Sequence, residues 1–153
     1  METTDYCSYE LSLALKKAGF CESCNYGYSV KTRIEPEVSF GEPKIMHSKA
    51  PKNYNDNRKG IEKGLDFCSA PTLWQAQKWL REKYGIHIDI CIYPDYSVDA
   101  DGNVCDKWDY WGFDLHAIVG SEQILADCGK YNLYEEALAT GIEVALKLLD
   151  NQK

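Results

Sequence analysis

Hydrophobic residues near the start of the sequence recur at three- or four-residue intervals, which is the spacing of one face of a helix. They are Cys7, Leu11, Ala14, Leu15 and Ala18. We therefore predict a first helix over about residues 5–18. Gly19 follows where a left-handed helix cap would lie, and a Schellman ending would pack Phe20 back onto Leu15.

Farther along, the hydrophobic positions alternate with polar ones, which is typical of half-buried strands. The first alternating run contains Tyr26, Tyr28, Val30, Thr32 and Ile34. A second run occupies residues 86–93, and we expect Pro94 to end it. A third run occupies residues 111–119, beyond the turn residues 101–103, so we expect it to pair antiparallel with the second. A short strand is predicted at Gln123–Ala126.

Two more helices are predicted from capping residues and hydrophobic stripes. Either Ser69 or Thr72, with Pro71 between them, could begin a second helix that ends at Gly85. Gln75 stands at the spacing of a capping box from Thr72. Its stripe consists of Leu73, Ala76, Leu80 and Tyr84. The last helix has a similar inner stripe, made of Leu138, Ile142, Ala145 and Leu149. We expect the second and last helices to cover one face of the sheet.

No regular pattern extends over residues 35–66, which contain three prolines and an Asn-rich cluster. We predict only short extended pieces there, such as Val38–Phe40, and treat the segment as an irregular insert. At 153 residues the chain has the length of one domain. The predicted fold is a single α+β domain over residues 1–153, an antiparallel sheet covered by helices in the order α-β-insert-α-β-β-(β)-α.

Charge and composition narrow the possible partners. The sequence has 24 acidic and 17 basic residues, and its net charge of −7 opposes binding to nucleic acid or to an anionic membrane. The N-terminus lacks the features of a secretion signal, and no apolar run approaches the ~20 residues of a membrane span. We expect a cytoplasmic protein without membrane or nucleic-acid partners. Its seven cysteines, an odd number, are then expected to be reduced thiols.

Two short motifs resemble metal sites, and both are better explained as loops. Cys21 and Cys24 form a C-x-x-C, but zinc needs four ligands and no second closely spaced Cys or His pair is present. Residues 99–104 resemble the middle of a calcium-binding loop, but Ser97 and Trp108 stand at its first and twelfth ligand positions. We predict a hairpin turn there, and no cofactor. Metal binding at Cys21 and Cys24 stays open as a weaker alternative.

One constellation suggests an enzyme. Cys68 precedes a predicted helix start, where the pKa of a thiol would be lowered, while His116 lies on a later strand and Asp127 on the next. Papain-like hydrolases have this order of nucleophile and base. However, no glutamine stands upstream of Cys68 as an oxyanion donor, and Cys68 lacks the flanking sequence of that class. A small thiol hydrolase using these three residues is therefore the alternative hypothesis.

Aromatic residues suggest possible binding surfaces. On the second helix, Trp74 and Trp79 widen the apolar arc to roughly 220°, about twice what a helix lying on a sheet needs. Either the insert covers this helix and both tryptophans are buried, or one tryptophan is left for a partner or a second copy of the chain. Trp108, Tyr110 and Trp111 could form an aromatic binding face or could pack across strands.

Three stretches of the sequence carry a family resemblance. They are Ser8–Glu10 with Leu15–Phe20, then Ala70–Tyr84, and finally Tyr134–Leu138 with Ala145–Leu149. Together they resemble a family of small uncharacterised proteins of bacteriophages, prophages and mobile elements, notably of gut Bacteroides. The resemblance implies a phage-associated accessory role in the host cytoplasm and brings no catalytic residues. Our main hypothesis is a non-enzymatic accessory protein that binds another protein or self-associates.

Overall fold

The structure, a computed structural model, describes residues 5–31, 41–56, 64–119 and 122–152, and all their side chains except those of 118–119 and 122–128. Within these residues it contains three helices and two three-stranded antiparallel sheets, which confirms the predicted α+β class. The helices are α1 (Tyr9–Lys17), α2 (Leu73–Tyr84) and α3 (Tyr134–Asp150). The strands are β1 (Cys24–Lys31), β2 (Lys44–Lys52), β3 (Leu65–Ser69), β4 (His87–Val98), β5 (Val104–Val119) and β6 (Glu122–Tyr131).

The chain divides into two compact units, one drawn from residues 1–76 and 149–153 and the other from residues 77–148. The first unit contains α1 and a sheet of order β2-β1-β3, and the second contains a sheet of order β4-β5-β6 with most of α3. The sequence predicted one sheet. The structure has two because β1 pairs with β2 and β3. The single domain expected over residues 1–153 stays a prediction.

Helix α1 ends as its sequence predicts, but it begins at Tyr9 and not near residue 5. The Ser8 side chain accepts a hydrogen bond from the N–H of Leu11 and caps the first turn. At the other end Gly19 adopts a φ of 95°. The N–H of Phe20 then donates to the Leu15 carbonyl at 2.9 Å, which together with the Gly19 N–H bond to Lys16 completes a Schellman motif. Phe20 is buried as expected.

Strand β2 lies inside the segment for which the sequence predicted no regular structure. It is an edge strand, and most of its residues are exposed on both faces. An edge strand with two wet faces needs no alternation of polar and apolar residues, so the usual signal is missing. The extended piece expected at Val38–Phe40 falls outside the described residues.

The end of the same segment packs on the sheet of the first unit. The ring of Tyr54 lies across Gly27 of β1, where a Cβ atom would come within 2.6 Å of the ring. The Asn55 side chain accepts from the N–H of Ser69 at 2.9 Å and donates to the carbonyl of Phe20 at 2.7 Å. These contacts close a core whose buried side chains include Cys7, Leu11, Leu15, Phe20, Cys24, Val30 and Cys68.

Helix α2 has the predicted capping box. The N–H of Gln75 donates to the Thr72 hydroxyl at 3.1 Å, and the N–H of Thr72 donates to the Gln75 side-chain oxygen at 3.0 Å. Gly85, with a φ of 66°, ends the helix. The predicted inner stripe is confirmed, since Leu73, Ala76 and Leu80 are buried.

In the second unit, β4 and β5 form the predicted antiparallel pair, with a register that runs from His87 opposite His116 to Val98 opposite Val104. The expected stop at Pro94 was wrong, because β4 continues to Val98. Strand β4 lies at the edge of its sheet, and alternate residues of an edge strand direct their N–H away from the neighbouring strand. A proline, which has no N–H, is therefore tolerated within an edge strand.

Helix α3 packs on one face of this second sheet. It approaches most closely at Gly141, where a Cβ atom would lie 2.7 Å from Ile88 and 3.3 Å from the Phe113 ring. The Gln77 side chain of α2 donates to the carbonyl of Ile88 at 2.6 Å and so ties that helix to β4. Of the helices in the described residues, none is both long and apolar enough to cross a membrane.

Candidate functional site

The β4–β5 hairpin extends beyond the third strand of its sheet. In the described residues β6 pairs with β5 only between Trp111 and Val119, whereas β4 and β5 remain paired up to the turn. We call the two-stranded part, residues 93–110, the arm. At its tip the Asp99 carboxylate accepts hydrogen bonds from the N–H groups of Asn103 and Asp101, which hold the pKa of Asp99 below its usual range. The predicted hairpin turn is confirmed.

Residues directly opposite each other in an antiparallel pair share a face of the sheet. The register places Tyr93 opposite Tyr110, Asp95 opposite Trp108, and Ser97 opposite Asp106. These six residues form one face of the arm, which we call the arm face. Trp111 lies on the other side of the sheet, where its ring meets Tyr134 edge-on at 5.3 Å. The three aromatic residues suggested by the sequence therefore do not form one surface.

A lysine from β6 contacts the arm face. Between Cys128 and Tyr131 the register shifts by one residue, and Gly129 adopts a φ of 90°, the geometry of a β-bulge. Lys130 follows this bulge, and its ammonium group lies 2.7 Å from the Asp95 carboxylate and 4.7 Å from the centre of the Tyr110 ring. The hydrogen bond lowers the pKa of Asp95 and raises the pKa of Lys130. The sequence did not indicate this cluster.

Tyrosines brace the inner end of the arm face. The rings of Tyr93 and Tyr110 are stacked, with centroids 5.4 Å apart and planes 20° from parallel. The Tyr93 hydroxyl lies 3.4 Å from the Asp114 carboxylate, within hydrogen-bonding distance. These contacts fix the rings in place, so the arm face presents them as a preformed surface.

The same hairpin carries most of the exposed apolar side chains. Eight large hydrophobic residues are exposed in the described part of the chain, and five of them lie on β4 and β5. The five are Ile92, Tyr96, Val98, Val104 and Trp108. Tyr96, at 60% exposed, lies opposite Lys107 on the side away from Trp108, which is 46% exposed. Both sides of the arm therefore offer apolar contact area to a partner.

Groups that could act in catalysis also lie on this side of the second sheet, closer to its centre. The imidazole of His116 is 3.8 Å from the Asp89 carboxylate, and the thiol of Cys91 is 3.6 Å from the Asp114 carboxylate. Burial, together with the acidic neighbours, raises the pKa of Cys91. A raised pKa keeps the thiol protonated, and the thiolate is the form that attacks or binds metal.

The residues of the thiol-hydrolase alternative occupy different parts of the chain. Cys68 is buried in β3 of the first unit, and His116 is exposed on β5 of the second. Burial raises the pKa of Cys68 to about 12, although nearby Lys16 lowers it. The expected lowering was therefore wrong, because the residue lies inside a strand rather than at a helix N-terminus. Asp127 of β6 pairs with Asp114 of β5, and the Asp127 side chain is not among those that the structure describes.

The C-x-x-C pair is divided between surface and core. Cys21 is exposed, whereas Cys24 is fully buried in β1, and burial raises the pKa of Cys24 to about 11. Within the described side chains, no group of three or more His, Cys, Asp or Glu residues is placed to hold a metal ion. Metal binding at Cys21 and Cys24 thus receives no geometric support.

The two tryptophans of α2 differ in exposure. Trp79 is 4% exposed and its ring contacts Tyr84 edge-on, whereas Trp74 is 57% exposed. The alternative in which both are buried was wrong. In the described part of the insert, Tyr54 packs on Gly27 of β1, and Trp74 stays exposed. A partner at Trp74 stays a prediction.

Comparison with known proteins gives no independent identification. No family model, no curated protein and no solved structure matches this chain. The resemblance to phage-associated proteins therefore stays an expectation from sequence, and function has to be argued from the surface itself.

Proposed function

We propose that the protein is a non-enzymatic accessory protein that binds another protein through the β4–β5 arm. The observation that carries this proposal is the concentration of exposed apolar and aromatic side chains on a two-stranded ribbon. Exposed apolar side chains concentrated in one part of a folded protein are typical of interaction sites.

A partner that docks on the arm would bury its exposed apolar side chains. Tyr96, Val98, Val104 and Trp108 of the arm are exposed to water. Removing their side chains from water contributes about 25 cal/mol per Å² of apolar area. Tyr and Trp are enriched among the residues that dominate binding energy, and the arm presents Tyr96 and Trp108 on its two sides. A regular ribbon also presents them without the cost of ordering a flexible loop.

The candidate nucleophiles of the chain are poorly suited to catalysis. A nucleophilic cysteine needs a lowered pKa, and the pKa values of Cys68 and Cys91 are raised. The arm face itself carries aromatic rings, carboxylates and one lysine, which are groups that bind cations and apolar surface. These features support binding over a thiol-hydrolase activity.

The proposed setting is the cytoplasm of a bacterial host, in keeping with the phage-type sequence resemblance. The six cysteines with described side chains are free thiols, which suits a reducing compartment. The partner would then be a protein of the host or of the mobile element.

A pair of variants tests the arm as the binding element. In the arm variant, Tyr96→Ser and Trp108→Ser remove one aromatic ring from each side of the ribbon. In the matched control, Trp74→Ser removes an equally exposed ring from α2 in the first unit. Surface substitutions of this kind usually change stability by less than about 0.5 kcal/mol, and circular dichroism with thermal melting checks that both variants fold.

The measurement begins with quantitative affinity capture and ends with a dissociation constant for each purified partner. We expect the arm variant to bind at least about tenfold more weakly, which corresponds to about 1.4 kcal/mol, and the control to bind like wild type. A partner that binds the arm variant with wild-type affinity would contradict the proposal. Loss of binding in the Trp74→Ser control alone would move the interface to α2.

A further inference from the structure

We infer that the arm face binds the Lys or Arg side chains of a basic segment in the partner protein, and that Lys130 fills one of these cation positions from within the chain. The inference rests on the proposed function and adds the chemistry of the partner. It is carried by the contacts around Lys130, by the residues around Trp108 and by the charge of the arm.

The first cation position is the one that Lys130 occupies. Its ammonium group is held between the Asp95 carboxylate at 2.7 Å and the face of the Tyr110 ring at 4.7 Å. A carboxylate and an aromatic face together are the two groups that attract an ammonium or guanidinium ion. The molecule thus shows directly what kind of side chain fits here.

A second position of the same composition surrounds Trp108. Trp108 lies directly opposite Asp95, and Asp106 lies on the same face of β5, two residues before Trp108. Residues two apart along a strand lie about 7 Å from each other on one face, so a cation over the indole ring would be within reach of both carboxylates. Trp is the ring that binds cations best, and Trp108 is exposed.

The charge of the arm favours a basic partner over a second copy of the chain. Residues 93–110 contain five aspartates and one lysine, a net charge of −4 within a chain of net charge −7. Two such arms would repel each other, whereas a Lys- or Arg-rich segment is attracted and is steered towards the arm. The occupant we infer is therefore a basic protein segment.

The Lys130 side chain is held weakly enough for a cation of the partner to displace it. Its side chain is 65% exposed, and an ion pair in this setting is exchanged easily with solvent. An incoming cation competes with Lys130 for Asp95 and Tyr110. Replacing Lys130 by a neutral residue should therefore strengthen binding, which is the opposite of what loss of a merely structural contact would do.

The test uses three twelve-residue peptides, in which Thr alternates with Lys, with Arg, or with Glu. Each is titrated into the 15N-labelled full chain while the indole N–H resonance of Trp108 is followed. We expect the Lys and Arg peptides to shift this resonance and the Glu peptide to leave it in place. Raising the salt concentration should weaken binding of the basic peptides.

Four variants locate the cation positions. Isothermal titration calorimetry measures the affinity of each variant, because Trp108→Ala lacks the indole resonance. Lys130→Gln should tighten binding of the basic peptides at least threefold, while Asp106→Asn and Trp108→Ala should weaken it at least threefold. Lys107→Gln is the matched control, because it removes the same charge from β5 but on the other side of the arm. We expect it to change affinity by less than half as much as Lys130→Gln.

Equal effects of Lys130→Gln and Lys107→Gln would overturn the inference, since only net charge would then matter. Binding of the Glu peptide, or no binding of the Lys and Arg peptides, would also overturn it. In either case the proposed function survives if the Tyr96→Ser and Trp108→Ser variant still loses its protein partner. If that variant keeps its partner, the proposed function fails, whatever the peptides do.

Discussion

At the scale of single residues, Gly27 and Gly141 lie where a neighbouring side chain crosses the backbone. The Tyr54 ring covers Gly27 in β1, and Ile88 with Phe113 covers Gly141 in α3. Neither glycine has a positive φ, so they are required by packing and not by backbone conformation. In the sequence, Gly27 marks only the polar side of an alternating run, and Gly141 lies within a helical stripe without any special signal.

We predict that Gly141→Ala destabilises the protein by about 1 kcal/mol. Alanine is favoured over glycine in a helix by about 1 kcal/mol, but overpacking a core costs about 1–3 kcal/mol. The added Cβ would lie 2.7 Å from Cγ2 of Ile88, a β-branched side chain with little rotamer freedom. Urea unfolding of both proteins measures the difference.

The neighbouring substitution Thr140→Ala is the matched control for Gly141→Ala. Its hydroxyl donates to the Glu136 carbonyl within the helix and is partly exposed, so its loss is offset by the better helix propensity of alanine. We expect its unfolding free energy to stay within about 0.5 kcal/mol of wild type. A Gly141→Ala protein as stable as this control would show that α3 can move away from the sheet.

At the scale of elements, the capping box is the feature of α2 that the sequence specifies most directly. Thr72→Ala removes the hydroxyl that accepts the N–H of Gln75 at 3.1 Å, and we predict a loss of about 1 kcal/mol of unfolding free energy. Thr72→Ser keeps the hydroxyl and should lose much less. Thermal or urea unfolding of the three proteins decides, and equal losses for both substitutions would rule out the capping explanation.

Strands were predictable where one face is buried and the other is wet. The alternation in β4 and β5 gives their pairing directly, because Ile88, Phe113 and Leu115 line a buried face. Strand β2 has no buried face, so its sequence shows no alternation of apolar and polar residues. Strand β4 continues through Pro94 because an edge strand tolerates a residue without an N–H. These two misses lie in edge-strand segments that contain no buried residue, where hydrophobic patterning carries little information.

The candidate surface was predictable only in part. Trp108 and Tyr110 stand out in the sequence as aromatic residues near acidic ones. Because successive side chains of a strand point to opposite faces, Trp111 lies on the other face of β5 from these two residues. Lys130 carries no local signal for a role here. Its place on the arm face depends on β6 lying beside β5 and on the bulge at Gly129, which are long-range features of the fold.

At the scale of the whole molecule, ionisable groups are distributed unevenly. The arm holds much of the negative charge, whereas Cys7, Cys24 and Cys68 are buried in the core of the first unit. Burial raises the pKa of all three thiols, that of Cys24 to about 11 and that of Cys68 to about 12, from an ordinary value of 9.0. Folding is therefore coupled to the protonation of these thiols.

We predict that the free energy of unfolding falls as pH rises above about 9. In that range the unfolded chain loses its thiol protons while the folded chain retains them. The contribution of Cys24 and Cys68 to the unfolding free energy is therefore fully present below pH 9 and is lost as the pH approaches 11–12. Each buried thiol contributes a slope of at most about 1.4 kcal/mol per pH unit.

Urea unfolding between pH 7 and 10.5 measures the slope. The Cys24→Ala and Cys68→Ala double variant should make the slope shallower and leave the part that Cys7 contributes. Cys105→Ala, which removes an exposed thiol, should preserve the slope. An unchanged slope in the double variant would mean that other groups set the alkaline limit, such as Tyr28 and Tyr54, whose pKa values burial also raises.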